Sequence, residues 1–109
     1  MNDKERKQLI EDTYKRYYKK TNMSYNELLK WKNNPCSKKA SIGRTAINRN
    51  LRLLSKPKNK WTMYDVKEAK KMLAFEARHS KGKAGKEVKG CGVSKRTIAR
   101  KNWAVDPNK

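Results

Sequence analysis

Residues 62–79 read Thr-Met-Tyr-Asp-Val-Lys-Glu-Ala-Lys-Lys-Met-Leu-Ala-Phe-Glu-Ala-Arg-His, and this stretch decides the fold. Val66, Ala69, Leu73 and Ala77 return every three or four residues, the spacing that stacks side chains on one face of an α-helix, with Met63 and Met72 at its edges. Thr62-x-x-Asp65 supplies the start. The threonine hydroxyl can accept the backbone N–H three residues on, while the carboxylate answers the backbone N–H of Thr62. A helix over Met63–His79 follows.

The same marks recur on both sides. Glu5 to about Lys20 repeats Ile10, Tyr14 and Tyr17, with Leu9 and Tyr18, at helical spacing. Ser24-x-x-Glu27 is a capping box opening a short helix in which Tyr25, Leu28, Leu29 and Trp31 are available to pack. Asn33-Asn34-Pro35 ends it, because proline disfavours a helical residue before it and has no N–H to donate. After a basic loop from Cys36 to about Lys39, a third helix is expected from about Ser41 to Leu54. At 100° per residue, Ile47, Leu51 and Leu54 fall within about 60° of one another, and Arg49, Arg52 and Lys56 occupy an arc roughly 100–200° away. Pro57 closes that helix within a basic connector, Lys56–Lys60. Beyond His79, the glycines of Ser80-Lys-Gly-Lys-Ala-Gly-Lys86 each cost a helix about 1 kcal/mol, so residues 80–92 read as a flexible basic loop. Ser94 then caps a last helix, Lys95–Asn102, with Ile98 pointing inward. No stretch alternates like a strand. The expectation is an all-α single domain over residues 1–109, a small bundle of four to five short helices.

Charge is the second signal. The 109 residues hold 30 Lys and Arg against 10 Asp and Glu, a formal +20, and only 35% are apolar. A soluble globular chain is more commonly about 45–50% apolar, so the core must be thin. The charge is also unevenly placed. Residues 1–27 carry +2; residues 28–64 hold ten bases and no acid; residues 65–77 balance; residues 78–101 carry nine bases and only Glu87, a net +8. Two basic blocks therefore flank a neutral one, and a polyanion would relieve their self-repulsion. No stretch approaches the roughly 18 uninterrupted apolar residues of a membrane span. The N-terminus lacks the apolar run of a signal peptide, so an intracellular location is expected: cytoplasm or nucleoid, or nucleus or virion for a virus-encoded protein.

Cys36 and Cys91 stand 55 positions apart and form no metal-spaced pair, even with His79 added. In an intracellular chain the preferred reading is two reduced, structurally passive thiols, with a Cys36–Cys91 bridge as the alternative. His79, next to Arg78, suits a cation at the negative end of a helix. No nucleophile or orienting partner accompanies it, so neither an enzyme nor a cofactor is expected. Trp31, Trp61, Trp103 and the tyrosines read mainly as core in so apolar-poor a chain, with base stacking the alternative for the tyrosines of the first helix.

Gly92-Val93-Ser94-Lys95-Arg96-Thr97-Ile98-Ala99-Arg100 resembles the turn and recognition helix of helix-turn-helix proteins, which implies Lys95, Arg96 and Arg100 facing DNA. The other reading is a short basic helix held by Ile98 and Trp103. Asn22-Met23-Ser24-x-x-Glu27-Leu28-x-x-Trp31, Arg78-His79 and Asn102-Trp103-x-x-Asp106-Pro107 resemble the small bacterial and phage-borne proteins of domain-of-unknown-function family 3140. Those proteins typically read Asn-Trp-Gly-His-Asp-Pro near the end, where this chain has Ala104-Val105 in place of Gly-His. The resemblance spans residues 22–107 and implies a compact helical domain, with Trp103 docked back onto the helices.

The function these observations favour is nucleic-acid binding, chiefly to the phosphates of double-stranded DNA, in a nucleoid-associated, phage- or virus-encoded or genome-packaging protein. Its expected contacts are Lys38, Lys39, Arg44, Arg49 and Arg52 in the first block, and Lys81, Lys83, Lys86, Lys89, Lys95, Arg96 and Arg100 in the second. The alternatives are an RNA-binding or ribosome-associated protein and a structural component of a virion.

Overall fold

A computed structural model describes residues 2–40, 46–80 and 86–109. Its helices are α1 (Asp3–Lys20), α2 (Tyr25–Lys32), α3 (Ala46–Ser55), α4 (Met63–His79) and α5 (Lys95–Asn102), with 3-10 turns at Pro35–Lys38 and Lys58–Lys60. The protein is an all-α bundle. Among the described residues no strand forms, and one antiparallel bridge joins Glu87 to Ser94. The part of the expected third helix before Ala46 lies outside the described residues.

The caps form as the sequence reading predicts. In α2, Glu27 N–H donates to Ser24 Oγ at 3.2 Å and Ser24 N–H to Glu27 Oε1 at 3.1 Å. In α4, Thr62 N–H donates to Asp65 Oδ2 at 2.8 Å and Asp65 N–H to Thr62 Oγ1 at 3.4 Å. Ser94 Oγ accepts from Thr97 N–H at 3.2 Å. The cap of α1 is one the sequence reading did not name: Asn2 Oδ1 accepts from Glu5 N–H at 2.8 Å, and the helix begins at Asp3.

Helix α4 is the hub, packing against α1, α3 and α5. This is why its buried stripe is wider than a single-face reading predicts. Val66, Ala69, Met72 and Phe75 are buried together with Asp65, Glu68 and Glu76. Met72 is therefore core and not edge, while Ala77 is exposed. Two apolar clusters result. One joins Leu28, Trp31, Ile47, Leu51, Phe75 and Ile98; the other joins Tyr17, Leu53, Trp61, Ala69 and Met72. Leu54 and Trp103 touch both. In α2, only Leu28 and Trp31 go inward, and Tyr25 and Leu29 stay exposed. Between α1 and α3 the buried Tyr17 hydroxyl donates to Asn50 Oδ1 at 2.6 Å, and Asn50 Nδ2 donates to Ala46 O at 2.8 Å.

The C-terminal segment folds back over α2. Asn102 is fully buried: its Oδ1 accepts from Trp31 Nε1 at 2.7 Å and its Nδ2 donates to Ser37 O at 3.1 Å. The Trp103 ring stacks on Phe75 with centroids 4.9 Å apart. Asn22 pairs with the Asp106 backbone in both directions, at 2.8 and 2.6 Å. Ala104 O accepts from the N–H groups of Asn22 and Met23. Ala104 itself has φ +66°, the left-handed region that favours glycine. Residues 22–23 and 102–106 thus lie on the same side of the bundle as α2.

Candidate nucleic-acid interface

Helix α4 supplies three buried acids, and these sort the cations. Asp65 pairs with Lys56 Nζ at 3.0 Å and Arg52 Nη2 at 3.2 Å. Glu68 pairs with Arg49 Nε at 3.4 Å and Lys71 Nζ at 3.3 Å. Glu76 accepts Arg100 Nε at 3.1 and 3.2 Å, and a closer contact from Nη2. Burial works against ionisation of Asp65, but the Thr62 backbone N–H, Lys56 and Arg52 outweigh it and hold the carboxyl below its ordinary value.

Arg49, Arg52 and Arg100, expected at phosphates, each pair with one of these acids; Arg100 is the most enclosed, whereas the Arg49 side chain stays 43% exposed. The cationic arc of α3 is real, but it faces α4. Arg52 also lies over the Tyr64 ring, 4.7 Å from its centroid. A carboxylate buried to this degree needs its partner, because a lone buried charge costs several kcal/mol.

The cysteines are the second correction. Cys36 and Cys91 are joined in a disulfide, with Cα atoms 5.9 Å apart, and are not passive thiols. The bond closes a separation of 55 residues and ties the 3-10 turn after α2 to the turn before α5. That second turn is shaped by Val88 N–H donating to Val93 O at 2.8 Å and Cys91 N–H to Val88 O at 3.0 Å, with Gly90 and Gly92 at φ +83° and +72°. Only glycine takes such angles without strain. Residues 86–92 of the expected flexible loop are thus a stapled turn; residues 81–85 lie outside the described residues.

The staple also bears on the helix-turn-helix expectation. That motif needs a helix joined to the recognition helix by a 3–4-residue turn. The described residues before α5 form the stapled turn instead. Thr97 is buried and Arg100 is held by Glu76, so the outward cations of α5 are Lys95, exposed, with Arg96 and Lys101, both half-buried. Lys101 Nζ sits 3.9 Å from the centroid of the Trp31 ring.

Arg49 stays exposed on α3, and the other expected contacts that are exposed among the described residues lie at this end. Lys38 and Lys39 follow Cys36, Lys86 and Lys89 precede Cys91, and all four are exposed. Lys95 opens the helix that packs on the 3-10 turn. An open depression of about 730 Å³ lies between Lys32, Asn33, Asn34, Pro35, Lys38 and Lys39. Lys32 was not singled out by the sequence reading; its place at the end of a capped helix beside Pro35 is the signal that could have found it. A second depression of about 340 Å³ shares Asn34 and includes Lys30 and Lys101 along with Glu27 and Asp106. Arg44, Lys81 and Lys83 lie outside the described residues.

His79 stacks on Phe75, centroids 4.1 Å apart. Burial, then the charges of Arg96 and Arg78, lower its pKa from the ordinary value of 6.5, with Glu76 opposing. This works against the helix-end cation expected. Among the described residues, no group of three His, Cys, Asp or Glu side chains could hold a metal, and no helix is long and apolar enough to cross a membrane. Compared with protein-family models, curated proteins and solved structures, the chain matches none.

Proposed function

We propose that this protein binds nucleic acid, and double-stranded DNA in particular, through phosphate contacts from the stapled end of the bundle. The observation that carries the reading is the Cys36–Cys91 bridge, which joins the segment that carries Lys38 and Lys39 to the segment that carries Lys86 and Lys89. With Lys95, these form a surface of ammonium groups suited to a repeating anion and indifferent to base sequence. The burial of Asp65, Glu68 and Glu76 supports it, because the acids of the neutral block are turned inward and do not offset this surface. Five lysine contacts give a salt slope of about −4.5, so affinity falls roughly 500-fold between 50 and 200 mM salt. The setting this suits is the coating or packaging of a genome.

Fluorescence anisotropy with a random 30-bp duplex tests the reading, since the longest dimension of the molecule, 51 Å, covers about 15 bp at 3.4 Å each. Tight, salt-sensitive binding of duplex DNA, exceeding that of structured RNA and single strands, is expected. Weak binding at low salt, or binding indifferent to salt, would overturn it, and a preference for RNA would move the assignment there.

A further inference from the structure

We propose that the Cys36–Cys91 disulfide is a reversible redox control on this cationic surface, an inference that rests on the nucleic-acid reading above. The two ends of the bond are held differently. On the Cys36 side, Asn34 Oδ1 accepts Cys36 N–H at 2.9 Å, Ser37 Oγ donates to Lys32 O at 3.2 Å, and the buried Asn102 grips Ser37 O. That turn keeps its place without the bond. On the Cys91 side, the hydrogen bonds described for residues 86–93 close the turn on itself or join it to Ser94, at the start of α5. Among the described residues, Val88, Cys91 and Val93 also pack against the first cluster.

Helix α5 is anchored independently, by Ile98, by Arg100 on Glu76 and by Asn102 on Trp31. Breaking the bond therefore frees Lys86 and Lys89 from the surface and leaves the bundle standing. Both sulfurs belong to half-buried residues among exposed neighbours, Pro35, Gly90 and Gly92, so a small or protein dithiol can reach them. One thiolate of the dithiol attacks a cysteine sulfur, the S–S bond breaks and a mixed disulfide forms. The second thiolate then displaces the remaining cysteine, so that two electrons and two protons pass to Cys36 and Cys91 and the dithiol leaves as a disulfide.

The full-length protein, oxidised or treated with dithiothreitol, is titrated with the 30-bp duplex at 0.1 M salt, with thiols counted by alkylation and mass, and helicity followed by circular dichroism. Reduction is expected to weaken binding between about eightfold and sixtyfold, the loss of one or both lysine contacts, and to make the salt slope shallower by up to about 2. Cys36→Ser/Cys91→Ser should match the reduced protein. Lys86→Gln/Lys89→Gln should bind weakly in both states, with reduction adding nothing. Equal affinity of both states with two thiols counted would refute redox control and leave DNA binding standing. Failure of the oxidised form to bind would refute the DNA reading itself. A bond that resists dithiothreitol, or helix lost on reduction, would refute a local, reversible switch.

Discussion

Replacing Asn102 by alanine removes the side chain on which the two ends of the chain meet. Its Oδ1 accepts the Trp31 indole N–H at 2.7 Å and its Nδ2 donates to Ser37 O at 3.1 Å, with no exposure of the residue to solvent. Alanine leaves a buried N–H and a buried carbonyl without partners, each costing about 1–3 kcal/mol, so about 2–6 kcal/mol is lost in all. At 4–8 °C per kcal/mol for a domain near 100 residues, the midpoint should drop by at least about 8 °C. The effect should persist under oxidising conditions, because the disulfide fixes the turns but satisfies neither group. Differential scanning calorimetry of the oxidised wild type and Asn102→Ala measures it. A loss below about 1 kcal/mol would mean that Asn102 does not join α2, the 3-10 turn and α5 as described.

Arg100→Ala strands the buried Glu76 carboxylate and should cost about 3–5 kcal/mol in urea unfolding, whereas affinity of the folded protein for duplex DNA should stay within about twofold. A large loss of affinity with stability intact would return Arg100 to the phosphate surface. Asp65 is held below its ordinary pKa, so the unfolded chain takes up its proton first. The stability it contributes is complete above about pH 4 and fades as pH falls through the folded value; Asp65→Asn should remove that part of the acid dependence, and an unchanged acid limb would refute the pairing. The lowered pKa of His79 works in the same sense at higher pH: stability is full above about 6.5 and declines below it as the unfolded state binds the extra proton. Duplex DNA near Arg96 should raise that pKa by offsetting the arginine charge. An imidazole titration by NMR unmoved by saturating DNA would place the phosphates elsewhere.

The helix boundaries were legible because they depend on local chemistry. Ser24 with Glu27, Thr62 with Asp65, Ser94 before α5 and the stop at Pro35 each act within four residues. What escaped was set by tertiary contact. Asp65 reads locally as the cap partner of Thr62 and Glu68 sits among lysines, yet both share the side of α4 that meets Arg49 and Arg52 of α3. Charge counting finds the basic blocks but does not tell which cations are spent within the fold. The disulfide stood only as the alternative to free thiols for a like reason: a spacing of 55 residues carries no geometry, and only docking of α5 on the 3-10 turn brings the cysteines together.

The sharpest measurement is the salt slope of duplex binding for the wild type beside a Lys38→Gln/Lys39→Gln/Lys86→Gln/Lys89→Gln variant, both oxidised and both verified as folded. If the two lysine pairs at the staple hold phosphates, the slope should become shallower by about 3.6 and affinity at 0.1 M salt should fall by about three orders of magnitude or more. A variant that keeps the wild-type slope would contradict the claim that the stapled turns are where this protein meets nucleic acid.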